Sequence, residues 1–213
     1  MKKEQIQSLF DAKFIKVVDI QYEEGKHYYN ATRRNMDDLV CLKSDAEFQE
    51  MVPDAVSIAL ILLMEEGPRL YMSYEYRYPA GRFLLSPVAG LLDEEDKENE
   101  SPLCSAAIRE IQEETGIAVR KSDRVFVVNP LVFSTPGMSD ECNGIVAAVI
   151  ADVKDVHVDQ SGAVGSEKFA GYRLLSLEEA KELLVRGRDE YGNFFPVYGL
   201  VVLQYFVSEQ WRG

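Results

Sequence analysis

The feature that most constrains the fold is a continuous apolar run, AVSIALILLM, from Ala55 to Met64. A run without polar alternation predicts a strand that is completely buried. The run stops at Glu65 and Glu66, well short of the roughly 20 apolar residues that span a bilayer. We therefore expect a globular protein with a buried sheet at its centre and no membrane partner.

Turn signals divide the chain into an N-terminal segment, residues 1–52, and a longer α/β body, residues 53–213. The N-terminal segment is predicted to form a small sheet from strands at 14–22 and 27–33, joined by the turn EEGK. In the body, strands are predicted at 55–64, 69–78, 124–128, 144–152 and 171–175, and helices at 102–115, 177–186 and 197–211.

The charge balance and the scarcity of histidine exclude several classes of protein. Lys and Arg total 23 against 36 Asp and Glu, a net charge of -13, so the surface repels nucleic acid and no nucleic-acid partner is expected. The 2 histidines and 3 widely spaced cysteines provide neither a Ser-His-Asp triad nor a zinc site of the usual spacing. Any metal ion must therefore be held mainly by oxygen. Because the N-terminus lacks a signal-peptide pattern, a cytoplasmic location is expected.

The string REIQEETG places three glutamates on one predicted helix. Ser101 and Pro102 suit the start of this helix, and Gly116 suits its end. Glu110, Glu113 and Glu114 stand at i, i+3 and i+4, a spacing that brings their carboxylates together. For this spacing alone, a solvated acidic helix face is the common alternative to a functional site.

The residues around these glutamates complete a longer pattern, which resembles the Nudix box. The pattern Arg-Glu-apolar-any-Glu-Glu-any-Gly-apolar is filled at every position from Arg109 to Ile117. The first half of the box departs from the family. Five residues separate Gly90 from Asp96, which stands in place of Glu, and the spacing to Arg109 is five residues longer than in the family. Either Asp96 or Glu100 is expected to replace the missing glutamate.

The resemblance implies hydrolysis of a diphosphate with the help of clustered Mg²⁺ ions, with Mn²⁺ as a possible substitute. Such ions neutralise phosphate charge and generate hydroxide, and Mg²⁺ prefers oxygen ligands. By resemblance, Glu110 and Glu114 hold the metal, and Glu113 either shares a metal or accepts a hydrogen bond from Arg109. The carbonyl of Ala89 completes the metal site. Arg109 is expected to orient a carboxylate without contacting the substrate; an ordinary helix salt bridge is compatible with that role.

Two strings outside the box are similar to the ADP-ribose and nucleotide-sugar pyrophosphatases of the family. In YEYRYPAGRFLLSPVAGLLDEE, Arg77 matches an arginine that contacts the substrate, although Glu75 replaces the usual Gln. In STPGMSDE, Gly137 and Glu141 match a loop that lines the substrate site. Without the resemblance, Arg77 could be a surface arginine at a strand edge, and Pro136 and Gly137 simple turn residues.

The resemblance also indicates a catalytic base and a dimer. Glu167 matches a glutamate that activates the attacking water, in a loop that Gly162 and Gly165 would allow to move; an acidic surface loop is the alternative. In the subgroup, a small N-terminal sheet forms homodimers and supplies aromatic and arginine contacts to the nucleotide. By analogy, Tyr29 and Arg34 are candidate substrate contacts, with Tyr28 and Arg33 beside them, and ordinary strand residues are again the alternative.

The expected fold is therefore an α/β Nudix α/β/α sandwich with a mixed sheet, preceded by a small N-terminal antiparallel β-sheet that serves dimerisation. The expected function is Mg²⁺-dependent hydrolysis of a nucleoside diphosphate sugar, with ADP-ribose giving AMP and ribose 5-phosphate as the leading reaction. Two alternatives stay open: a pyrophosphatase for a UDP- or GDP-sugar, and a Nudix domain that senses a nucleotide without cleaving it.

Overall fold

The computed structural model describes residues 1–151, 153, 158–159 and 167–213. The strands are β1 (Ile6–Asp11), β2 (Lys16–Glu23), β3 (Lys26–Thr32), β4 (Ala55–Met64), β5 (Gly67–Arg77), β6 (Arg82–Ser86), β7 (Val88–Leu91), β8 (Arg124–Phe133), β9 (Cys142–Ile150) and β10 (Phe169–Leu175). The helices are α1 (Asp45–Gln49), α2 (Glu94–Lys97), α3 (Pro102–Thr115), α4 (Leu177–Arg186) and α5 (Val197–Ser208).

The chain forms two compact units. The N-terminal unit contains residues Met1–Asp54 and Leu131–Asn143, and the larger unit contains Ala55–Pro130 and Gly144–Gly213. Nothing in the sequence pattern had assigned 131–143 to the N-terminal unit. The boundary between the two units at Asp54 comes directly before the buried strand β4.

The N-terminal unit contains a three-stranded antiparallel sheet in the order β1-β2-β3. β2 and β3 overlap the two predicted strands, whereas β1 was not predicted because its residues are mostly exposed and show no clear alternation. The short helix α1 begins at Ser44, whose hydroxyl accepts a hydrogen bond from the Glu47 amide while the Glu47 carboxylate accepts one from the Ser44 amide. This reciprocal capping satisfies two amides that the helix start leaves free.

The main sheet has the order β10-β5-β4-β9-β8, with β6 paired to β5 and β7 paired to β4. β4 is buried almost throughout, as the apolar run predicts. In the larger unit its side chains alternate: Ala59 and Ile61 pack in a cluster with α4 and α5, and Ile58 and Leu60 pack in a second cluster with α3. Burial on both faces, worth about 1.5–3 kcal/mol for each large aliphatic side chain, explains why the run carries no charged residue and only one small polar residue, Ser57.

This layering confirms the predicted fold class, a mixed sheet between helices with a small antiparallel sheet at the N-terminus. α3 and α4 occupy the predicted ranges, and the predicted last helix ends earlier, at Ser208. β6 and β7, which the sequence reading did not separate from the loop before the box, add two short strands beside the centre of the sheet. In the described part of the chain, no helix has both the length and the apolar character needed to cross a membrane.

Candidate active site

The acidic helix α3 carries two carboxylates that water hardly reaches. The helix has Pro102 in its first turn and ends at Gly116, which adopts a left-handed conformation with φ 70°. Glu110 is 8% exposed and Glu114 is 6% exposed. A solvated acidic face would leave these side chains in water, so that alternative does not describe α3. Glu113 stands at the rim, with its side chain 42% exposed.

Arg109 joins the carboxylates to the loop that precedes the helix. Its Nη1 lies 2.7 Å from Glu110 Oε1 and 3.1 Å from Glu113 Oε2. Its Nη2 donates to the carbonyl oxygen of Leu91 at 2.9 Å and to Asp96 Oδ2 at 2.8 Å. Ion pairs of this kind keep the guanidinium in one place and fix the direction of the carboxylates. Arg109 therefore has the orienting contacts that the family resemblance implies.

The close approach of β7 to α3 explains the glycine of the box. A Cβ atom on Gly90 would lie 1.8 Å from Glu110 Oε1, a distance that no side chain can adopt. The neighbouring amide of Ala89 donates to Glu114 Oε1 at 3.0 Å. A bare backbone at this position thus lets both buried carboxylates lie directly against β7. The metal-binding role of the Ala89 carbonyl stays a prediction.

Burial and mutual repulsion raise the pKa values of these carboxylates. Burial raises the pKa of Glu110 to about 7, with Glu113 and Glu167 adding to the rise and Arg109 opposing it. The pKa of Glu114 is raised well above its ordinary value, again chiefly by burial, and the charges of Glu75, Glu110 and Glu167 add to it. Buried acidic groups that repel one another are costly as anions unless a cation joins them.

The donor set fits a divalent cation. Glu110, Glu113 and Glu114 offer only oxygen, which Mg²⁺ prefers, and the one guanidinium beside them, Arg109, is shared among Asp96, Glu110 and Glu113. In the part of the chain that the structure describes, no three His, Cys, Asp or Glu side chains are already arranged to coordinate one ion together. Glu110 is instead directed to Arg109, and Glu114 to the Ala89 amide. Holding an ion at these residues would require their carboxylates to turn.

A second wall of the site comes from β5, and it contains a residue that the sequence reasoning missed. Arg77 Nη2 lies 2.5 Å from Glu75 Oε2, and the Glu75 side chain is 15% exposed. The pKa of Glu75 is raised, chiefly by burial, with Glu167 adding to the rise and Arg77 opposing it. The sequence did mark this position, because the family resemblance implies Gln where Glu75 stands, but the role of Glu75 depends on which groups surround it in the fold.

Glu167 belongs to the same electrostatic group. Its charge raises the pKa values of Glu75, Glu110 and Glu114. The backbone next to it is fixed to β5, because the Tyr76 amide donates to the Lys168 carbonyl oxygen at 2.8 Å. The predicted base therefore lies among the metal-binding candidates, while Gly162 and Gly165 lie outside the described residues. The role of Glu167 as a base stays a prediction.

The remaining predicted substrate contacts lie in the N-terminal unit. Gly137 accepts a hydrogen bond from the Tyr28 hydroxyl at 2.6 Å, and Glu141 Oε1 accepts one from Arg33 Nε at 2.8 Å. Tyr29 is 59% exposed. These contacts tie the loop at 134–141 to β3 and the residues after it, and the assignment of Tyr29, Gly137 and Glu141 to substrate binding stays a prediction.

Arg34, also in the N-terminal unit, is engaged by acidic residues of that unit. Its side chain is 9% exposed, and its Nη2 lies 2.9 Å from Asp54 Oδ1. Its Nη1 lies 3.2 Å from Asp38 Oδ2. These ion pairs give Arg34 a structural task, and its predicted contact with substrate stays a prediction.

Comparison with known proteins identifies the family to which the acidic helix and its surroundings belong. Residues 53–198 match the NUDIX domain. That range contains the whole of the acidic helix α3, the strands β5 and β7 that line the site, and Glu167.

Relatives of known sequence agree with this match at low identity. An ADP-ribose pyrophosphatase of Bacillus subtilis is 26% identical over 156 residues, which cover 73% of this chain and 76% of that protein. Nudix hydrolase 14, chloroplastic, of Arabidopsis thaliana is 30% identical over 111 residues, 46% of this chain. This match spans only 35% of the length of the Arabidopsis protein.

Among solved structures, one described as the crystal structure of an ADP compounds hydrolase has a TM-score of 0.58 with this chain. The superposition covers 98% of this chain and 94% of the other, with 15% sequence identity. At that identity the likeness concerns the fold.

Proposed function

The chain belongs to the NUDIX family of hydrolases, and from that premise we propose that it hydrolyses the diphosphate bond of a nucleoside diphosphate sugar. ADP-ribose, cleaved to AMP and ribose 5-phosphate, is the leading substrate. The observation that carries the proposal is the pair of buried carboxylates, Glu110 and Glu114, held against the bare backbone of Gly90. The ADP-ribose pyrophosphatase of Bacillus subtilis, which matches most of this chain, supports the choice of substrate.

Each residue of the site has a chemical task in this reaction. Members of the family generally use divalent ions, and we propose Mg²⁺, with Mn²⁺ as a substitute, held by Glu110, Glu113 and Glu114. When bound, such ions neutralise the diphosphate and lower the pKa of a water molecule. Arg109 keeps the carboxylates in place, and Glu167 accepts a proton from the attacking water. Loss of this proton makes the water a stronger nucleophile towards the diphosphate.

Arg77 is proposed to bind the diphosphate, because a guanidinium can donate two parallel hydrogen bonds to phosphate oxygens. Its side chain is 44% exposed and so remains accessible to a ligand. The N-terminal sheet is proposed to form a homodimer, and the exposed ring of Tyr29 is proposed to stack on the base. Sedimentation velocity of the intact chain tests the dimer, which a purely monomeric species at micromolar concentration would exclude.

Hydrolysis of a substrate panel tests the proposed function. ADP-ribose, UDP-glucose, GDP-mannose, diadenosine polyphosphates and nucleoside triphosphates are incubated with and without Mg²⁺. The wild type is compared with Glu114→Gln and with Glu178→Gln, a control that removes one exposed carboxylate on α4. We expect Mg²⁺-dependent release of AMP from ADP-ribose, lowered roughly 100-fold or more in Glu114→Gln and unchanged in Glu178→Gln.

The panel also separates the alternatives. Cleavage of a UDP- or GDP-sugar in preference to ADP-ribose would keep the site and change the substrate. Tight binding of ADP-ribose without cleavage would favour a nucleotide sensor. Full turnover in Glu114→Gln would exclude the metal-binding role of that residue.

A further inference from the structure

Glu75 and Arg77 lie on the face of the main sheet against which α3 packs. Along β5, side chains alternate between the two faces of the sheet. Tyr71 packs in the cluster with α3, and Tyr74 packs in the cluster with α4 and α5. Residues 75 and 77 therefore share a face with Tyr71. This places the ion pair between Glu75 and Arg77 on the same side of the sheet as the carboxylates of α3.

Both arginines of this site are already neutralised by carboxylates. Arg109 contacts Asp96, Glu110 and Glu113, and Arg77 contacts Glu75 at 2.5 Å. Glu75 is therefore the counterion of the arginine that is proposed to bind the diphosphate. The Glu75 side chain is 15% exposed, so water reaches the carboxylate of this pair little, whereas the Arg77 side chain is 44% exposed and stays accessible to a ligand.

The pair has a consequence for anion binding. A diphosphate that approaches Arg77 must compete with the carboxylate of Glu75, which stands two residues away on the same strand. It also approaches the buried charges of Glu110 and Glu114, which repel it. A cation among these carboxylates would attract Glu75 as well, and the guanidinium would then be available to phosphate oxygens. Binding of the diphosphate and of the cation would thus be linked through one side chain.

We propose that Glu75 is a positioning residue that makes diphosphate binding depend on a divalent cation, by keeping Arg77 paired when no cation is present. The inference rests on the proposed function and goes beyond it, since it assigns a task to Glu75, one of the residues at which this chain departs from the pattern that the resemblance implies. It predicts that removing the charge of Glu75 weakens the cation requirement without removing the arginine. Glu75 acts through Arg77 and not on the reacting atoms.

Equilibrium binding without metal tests this linkage. Calorimetric titration of ADP-ribose in EDTA is performed on the wild type, Glu75→Gln, Arg77→Gln and the double variant. We expect Glu75→Gln to bind ADP-ribose at least about fivefold more tightly than the wild type in EDTA. Arg77→Gln and the double variant should bind no more tightly than the wild type. Glu66→Gln, which removes an exposed charge at the turn between β4 and β5, controls for net charge.

The double variant identifies the cause of any gain in affinity. A gain that persists when Arg77 is also replaced would come from lower repulsion in general, and it would overturn the inference. Unchanged affinity in Glu75→Gln would overturn it too. Circular dichroism shows whether Glu75→Gln folds, and Glu75→Ala, for which the same gain is expected, replaces it if it does not.

Hydrolysis by the wild type with Mg²⁺ keeps the two proposals distinct. Metal-dependent cleavage of ADP-ribose together with unchanged affinity in Glu75→Gln leaves the proposed function in place and overturns the task of Glu75. If the wild type neither binds nor cleaves any nucleoside diphosphate in the panel, the proposed function fails and the inference fails with it.

Discussion

Asp96 accepts a 2.8 Å hydrogen bond from Arg109, although the two residues stand 13 positions apart and the loop between them is longer than in the family. The short helix α2 makes this possible, because the Asp93 amide also donates to Asp96 Oδ2 and fixes the carboxylate near the arginine. Of the two acidic residues that the sequence offered for this position, Asp96 is 5% exposed and contacts Arg109, whereas Glu100 is exposed. The additional residues therefore lengthen the chain between Asp96 and Arg109 without breaking the contact between these two side chains.

We expect Asp96→Asn to lower the free energy of unfolding by about 1–3 kcal/mol, because it leaves the partly buried Arg109 without one of its counterions. Urea denaturation measures this change. Glu100→Gln, in the same loop, is the matched control and should alter stability by less than about 0.5 kcal/mol. Equal effects of the two substitutions would show that the contact between Asp96 and Arg109 does not stabilise the fold.

Gly90→Ala should lower kcat by about 100-fold, because the new Cβ would occupy the position of the Glu110 carboxylate. The matched control is Gly144→Ala, whose Cβ would meet the flexible Leu103 side chain at 2.4 Å. That variant should lose stability and keep kcat per folded molecule near the wild-type value. Measuring kcat and melting temperature on both variants separates the two effects, and a normal kcat in Gly90→Ala would contradict the close approach of β7 to Glu110.

Without metal, stability should fall as the pH rises through the range in which Glu110 ionises. Burial raises the pKa of Glu110 from 4.5 to about 7, so between these values the folded protein binds more protons than the unfolded chain. The stabilising contribution is then complete below about pH 4.5 and is lost as the pH rises towards 7. In EDTA, Glu110→Gln should therefore gain stability relative to the wild type between pH 5 and pH 8, on the order of 3 kcal/mol.

Urea denaturation at several pH values checks this relationship. Parallel stability curves for the wild type and Glu110→Gln would show that Glu110 does not titrate in this range. Addition of Mg²⁺ to the wild type should restore stability at high pH, because an ion that binds only the folded protein stabilises it.

Glu167→Gln should lower kcat by about 100-fold or more while KM changes by less than about threefold, because a base acts on the transition state and contributes little to binding of the ground state. Steady-state kinetics of the wild type and the variant measures both constants. Glu182→Gln, on the exposed side of α4, serves as the control. A rise in KM with normal kcat would assign Glu167 to binding.

Arg34→Met should cost about 2–4 kcal/mol in the free energy of unfolding, because it removes the ion-pair partner of the largely buried Asp54 carboxylate. Chemical denaturation measures this loss. The kinetic constants of the folded variant test the other predicted role. A large rise in KM with normal stability would favour substrate contact over the ion pair.

The elements that depend on near neighbours in the chain could be predicted well. The buried strand β4 and the helix α3 match their predicted ranges, because an apolar run and a helix with clear start and stop signals are properties of adjacent residues. The box itself was recognisable for the same reason, since helical spacing brings Glu110, Glu113 and Glu114 together whatever surrounds them. β1 was missed because its exposed residues carry no strong pattern.

The sequence by itself determined the family, the central strand and the acidic helix, because each is encoded within one short segment. Only the tertiary structure decided that Glu110 and Glu114 are buried against Gly90 and that Asp96 is the partner of Arg109. It also decided that Glu75 belongs to the site. These relationships join β5, β7 and the helices, and the pKa of a carboxylate depends on the water and the charges around it, which are set by segments distant in the chain.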